Sequence, residues 1–173
     1  RGINLTSATS TSNLNLYYNT VYLNATSSGA NFSTTGLYHT TSTTATTAAL
    51  NLRDNMMVNL STPNGTGVAA AYRRSSTTLT NYGSGSNNNL FHAGTPAANK
   101  VVFYDGTNAD QTLGAFQTRV SPRESASITE NPPFLSTTGS SPSFLHINPA
   151  VPTQVESGGQ VIDILVETRA KGG

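Results

Sequence analysis

Asp54, Arg73 and Arg74 are the residues of this chain whose types could do acid–base chemistry together. Asp54 follows Arg53, and Tyr72 precedes the two arginines. An arginine abstracts a proton only in a suitable environment, and the step needs a substrate carboxylate stabilised by metal. The grouping would therefore suit cleavage of an acidic polysaccharide. The same charges also suit plain decoration of an exposed surface. A second grouping is Asp105, Asn108 and Asp110, at positions 1, 4 and 6 of one loop. Calcium takes about six to eight oxygens, and such a loop could supply some. It lacks the Glu at position 12 of an EF-hand. The other reading is an Asp-Gly turn followed by Asp110 as a helix cap. Tyr72 and Tyr104 could stack on sugar rings if they face solvent, or pack inside if they do not. His39, His92 and His146 are far apart, and a metal would need two of them to meet. The 20 serines include no Gly-x-Ser-x-Gly elbow.

The elements that must position these residues are β-strands. Only 35% of the 173 residues are hydrophobic, and 10% are charged against about 25% in an average domain. Low hydrophobicity with high net charge signals disorder, but the net charge here is +1. The deficit is filled by 27 Thr, 20 Ser and 18 Asn. Thr favours half-buried pleated surfaces, while Asn and Ser favour turns. The nine Lys and Arg are scattered, so the footprint of a nucleic-acid binder is missing. No window approaches the roughly 18 apolar residues of a membrane helix. Cysteine is absent, so no disulfide contributes.

Three segments repeat: Asn13 to Asn24, Ala49 to Asn59, and the shorter Asn87 to His92. Asn19, Asn55 and Asn89 align at separations of 36 and 34 residues. Each sits at a polar corner followed by apolar residues. Asn tolerates left-handed geometry, and stacked repeats would let each Asn amide bond the next. Further strands are expected at Gly67 to Tyr72, Lys100 to Tyr104 and Val161 to Val166. Leu113, Phe116 and Val120 predict a short amphipathic helix over Asp110–Val120, with Asp110 as N-cap. Pro122 ends it.

From Asn87 onward the order of pieces resembles secreted right-handed parallel β-helix proteins of the pectate-lyase-like superfamily. The nearest types are surface and exported proteins of Bacteroidetes. The pieces are an Asn-rich coil, the strand Val101 to Tyr104, the Leu-Gly-Ala-Phe-Gln run at 113–117, Ser127-Ile128 with Asn131 to Phe134, and Phe144 to Pro149. The resemblance implies a bacterial, secreted or cell-surface location. The stretch from Val161 onward departs from the family's usual close. The catalytic motifs of polysaccharide lyases are also missing, so the resemblance transfers no catalytic residue.

The expected fold is all-β: one domain over 1–173, a right-handed parallel β-helix of about four to six irregular coils with one short helix near 110–120. Gly2 to Leu5 already reads as strand, so the start reads as the middle of a longer solenoid. Neither end shows a cap, and open ends invite neighbouring domains or head-to-tail self-association into a filament, with Val161 to Val166 as an added strand. The expected function is a non-catalytic structural or adhesive protein. The alternative is a carbohydrate-active or carbohydrate-binding protein with a polysaccharide partner. No cofactor is expected apart from the calcium option at Asp105, Asn108 and Asp110, and neither nucleic acid nor membrane insertion is expected.

Overall fold

The computed structural model describes residues 1–159. Ten strands and two helices follow one another. The strands are β1 (Ile3–Thr6), β2 (Leu14–Tyr17), β3 (Thr20–Leu23), β4 (Thr34–Thr40), β5 (Leu50–Arg53), β6 (Met56–Asn59), β7 (Ala69–Arg74), β8 (Leu90–His92), β9 (Lys100–Tyr104) and β10 (Ala109–Asp110). The helices are α1 (Leu113–Val120) and α2 (Val155–Gly158). The expected strand at Val161 to Val166 lies outside the described residues.

The strands form three small sheets, ordered β1-β4-β7-β9-β10, β2-β5 and β3-β6-β8. Thr20 pairs with Met56 and Met56 with Leu90, the 36- and 34-residue steps of the repeat. Only β10 runs antiparallel, folding back on β9 with Ala109 opposite Tyr104. The turn needs Gly106, whose φ of +95° is open to glycine and costly for other residues.

This corrects the expected architecture. Instead of a right-handed parallel β-helix of four to six irregular coils, the described residues form a mostly-β fold of three separate, short sheets, mixed in direction. The short helix expected near 110–120 is present as α1, and among the described residues a single further turn, α2, follows. The physical reason lies in the connections. The Ser/Thr/Gly-rich stretches between strands satisfy their backbone with turns and single bridges such as Thr26–Thr62 and Leu50–Tyr82, so no ladder runs on through them. Beyond α1, the described residues pair through isolated bridges such as Phe134–Ile147 and form no further strand.

One buried cluster joins the layers, with Leu37, Leu50, Leu52, Met57, Tyr72, Phe91 and Phe103 at its centre. Helix α1 adds its buried face of Leu113, Phe116 and Val120 to that cluster. Phe116 stacks on Phe103 at 4.8 Å and meets Phe91 edge-on at 5.5 Å. The helix thus packs its apolar face beside β8 and β9, at the end of the sheets where Ile128 continues the pairing past Leu90. At the opposite end, β1, β2 and β3 each pair on one side only among the described residues.

The helix starts later than predicted. Thr112, not Asp110, is the N-cap, its hydroxyl accepting the Ala115 N–H at 3.3 Å. Asp110 is used instead as the bidentate partner of Arg119, at 2.6 and 2.8 Å. Thr112→Ala should cost about 1 kcal/mol of unfolding free energy, and Thr112→Ser should retain it, as read by urea denaturation. Equal midpoints for all three proteins would remove the cap from the account.

The corners also differ in detail. The left-handed residue is the one before each aligned Asn: Tyr18, Asp54 and Asn88, at φ 57°, 55° and 58°. The Asn side chains that follow are freed for the ladder. Asn19 Nδ2 donates to Asn55 Oδ1 at 3.1 Å, and Asn55 Nδ2 donates to Asn89 Oδ1 at 2.9 Å.

Candidate functional site

Side chains alternate across a strand, so Leu37 and His39 of β4 point inward and Tyr38 points out. The same holds for Arg73 of β7, between inward Tyr72 and Arg74, and for Tyr104 of β9, next to inward Phe103. Register places the three outward residues side by side: Tyr38 pairs with Arg73, and Arg73 with Tyr104. The Arg73 guanidinium lies 5.5 Å from the Tyr38 ring centre and 4.9 Å from that of Tyr104. Arg1 adds a second guanidinium 3.9 Å over Tyr38, and donates to Asn4 at 2.8 Å. The result is a row of alternating cations and rings on the outer face of the five-stranded sheet. Each ring is half-buried, and each ring's π-face attracts the cation beside it.

The sequence-derived sites fare unevenly in this geometry. Tyr104 lies on the outer face. Tyr72 does not: it is 0% exposed, packed against Tyr82, Phe91, Phe103 and Phe116, and no sugar can reach its ring. Burial pushes its hydroxyl well above the usual phenol range. Asp54, Arg73 and Arg74 are not brought together. Arg73 faces out and Arg74, 1% exposed, faces in, as adjacent strand residues must. Asp54 sits at the corner between β5 and β6, beside a half-open, mostly apolar cleft of about 200 Å³ lined by Tyr18, Met56, Leu90, Ile128 and Val155 among others, with no arginine or lysine among its described lining residues.

The loop of Asp105, Asn108 and Asp110 does not converge on a cation. Asp105 accepts the backbone N–H groups of Thr107 and Asn108, at 3.0 and 2.7 Å, and the Asn108 side-chain amide at 2.8 Å. Its carboxylate closes the turn. Asp110 is spent on Arg119. His39 is buried, His92 half-buried and His146 exposed, and no group of three metal-ligating side chains forms among the described residues.

Two features had no weight in the sequence reading. The first is Ser7 with His39, 3.0 Å from Ser7 Oγ to His39 Nε2. The pair is wired against catalysis. Ser7 gives its only hydroxyl proton to the Thr40 carbonyl, so His39 Nε2 must be the donor to Ser7 and cannot act as its base. Burial, with Arg74 nearby, lowers His39 to a pKa of about 4, so the ring is neutral at pH 7.

The second is Glu124, 0% exposed and at φ 59°. Its carboxylate terminates the Asn ladder by accepting from Asn89 Nδ2 at 2.9 Å, and it also accepts from the Tyr82 and Ser127 hydroxyls. Gln117 of α1 donates to the Glu124 carbonyl at 2.8 Å, tying the helix to this node. Burial raises the Glu124 pKa, and burial with the nearby Glu124 charge raises that of Tyr82. No repeat spacing points to Glu124, because Ser127 takes the register position after Asn89 and Ile128 bridges Leu90. Its residue type hid it as well, because a buried carboxylate is rare where an amide would do.

No family model, no curated protein and no solved structure matches this chain. The resemblance to secreted surface proteins therefore stands on its motifs alone.

Proposed function

We propose that this chain is a non-catalytic, extracellular adhesive module that holds a polysaccharide against the outer face of its five-stranded sheet. The observation that carries the reading is the in-register row of Tyr38, Arg73 and Tyr104, pre-arranged on three consecutive strands. Strands about 4.8 Å apart, locked by parallel ladders and a packed core, give a rigid and repetitive face of the kind an extended polymer can follow. Low charge and the order of motifs in the second half support the extracellular setting. Binding is favoured over turnover because Arg73 and Arg74 point to opposite faces and Asp54 lies at another corner.

Affinity electrophoresis through gels containing different polysaccharides tests the proposal. Retardation by at least one polymer is expected, reduced by Tyr104→Ala and unchanged by Tyr18→Ala, an exposed tyrosine away from the row. Migration unaltered by every polymer would reject it.

A further inference from the structure

Resting on that reading, we infer that the ligand presents oxyanions, carboxylate or sulfate groups on a polymer, and that the Arg73 guanidinium is the group that binds them.

The argument starts from what the row leaves available. Arg1 and Arg73 both lie over the Tyr38 ring, and Arg73 lies over the Tyr104 ring as well. Ring faces covered by guanidinium cannot also stack on a sugar. What the row can still offer is the edge of a planar guanidinium whose orientation is set by a ring on each neighbouring strand. That edge matches a two-oxygen anion through paired N–H donors. Among the described residues Arg73 also has no ion-pair partner: no carboxylate comes within 4.0 Å of it, and the ion pair present joins Arg119 to Asp110. Its Nε is buried without a hydrogen-bond partner, so the donors left for a ligand are those of the two terminal nitrogens. The nearest carboxylate in sequence to the row, Asp105, is buried and turned into its own loop by three hydrogen bonds. A half-buried cation with no acceptor has donors to give, and a ligand oxyanion is the complement its charge calls for. Lysine in its place would keep the charge but lose the paired donors of the planar guanidinium.

The test uses the full chain and three probes: polygalacturonate, dextran sulfate and neutral dextran. A fourth, polygalacturonate converted to its methyl ester, has the same backbone without the charge. Binding to at least one of the two anionic polymers is expected, with dextran and the methyl ester bound about tenfold more weakly or not at all. Added salt should weaken the binding. Which anionic polymer binds more tightly identifies carboxylate or sulfate as the source. Arg73→Lys should lose about tenfold in affinity with an unchanged unfolding midpoint. The ester comparison needs no variant, so it stands even if Arg73→Lys folds poorly. Equal binding of the methyl ester and of polygalacturonate, with dextran sulfate no tighter than dextran, would overturn the inference and leave the adhesive reading intact. Full affinity in a folded Arg73→Lys protein would overturn the role of Arg73. Binding to none of the probes or other polysaccharides would overturn both readings.

Discussion

Asn55→Ala is expected to cost about 3–5 kcal/mol of unfolding free energy, the upper range for a single substitution. Asn55 is 1% exposed, and every polar atom of its side chain is used. Oδ1 accepts both the backbone N–H and the amide of Asn19, at 3.1 Å each. Nδ2 donates to the carbonyls of Leu16 and Arg53, at 2.8 and 3.0 Å, and to Asn89. Alanine would strand these groups in a corner that solvent hardly reaches. An unsatisfied buried polar group costs about 1–3 kcal/mol, and here several lose a partner together. The corner needs the amide for another reason. Asp54, just before it, holds a φ of 55°, a conformation that surrounding contacts must pay to maintain. Asn55→Asp separates the two halves of the amide. It keeps the acceptor, removes the donors and buries a charge, so it should destabilise at neutral pH and recover partly in acid. Urea denaturation of both variants at two pH values measures this. A loss below about 1 kcal/mol for Asn55→Ala would mean the ladder follows the fold and does not hold it.

Glu124 gives the second large effect, and its sign depends on pH. Glu124→Ala removes the common acceptor of Tyr82, Asn89 and Ser127 and opens a cavity, at a cost of about 3–5 kcal/mol. Glu124→Gln keeps the shape, and the two hydroxyls can rotate to accept from the new amide. The folded carboxyl is held above its ordinary value by burial. A raised folded pKa gives stability that is fully present below the unfolded value and is lost as pH rises through the folded one. The difference, wild type minus Glu124→Gln, should therefore fall as pH rises above the ordinary glutamate value of about 4. His39 works the other way. Its folded pKa is lowered to about 4, so stability is lost as pH falls from the ordinary histidine value towards that point. Both proteins share His39, so its contribution cancels in the difference. A difference that stays flat as pH rises would show that Glu124 does not titrate at a raised value.

The ladder was the part of the fold that could be read from residue order. Asn19, Asn55 and Asn89 recur at steps of 36 and 34, and parallel pairing turns such steps into direct neighbours. The helix face of Leu113, Phe116 and Val120 was equally open to reading, because its period is local. The helix cap was misread by two residues: Asp110 and Thr112 are both good caps, and only the position of Arg119 decides between them. The partition into three short sheets, the turn back at Gly106 and the cover that α1 places over Phe103 depend on contacts between residues distant along the chain.

The candidate site divides the same way. The sequence reading singled out Tyr72 and Tyr104 and missed Tyr38; the choice of Tyr104 over Tyr72 was not legible, since each is an aromatic residue close to one end of a strand. A shift of one residue in strand phase moves a side chain from the solvent to the core. Phe91, Phe103 and Phe116 claim Tyr72 for the interior, and with it the inward place of Arg74 and the outward place of Arg73. The order of residues in the chain thus determined several of the strands, the spacing of the Asn ladder and the helix face, because those patterns are periodic along the sequence. Which tyrosine meets solvent, which arginine faces out between two rings, and where the last amide of the ladder ends were decided by tertiary packing, because each depends on what a distant segment brings to the same place.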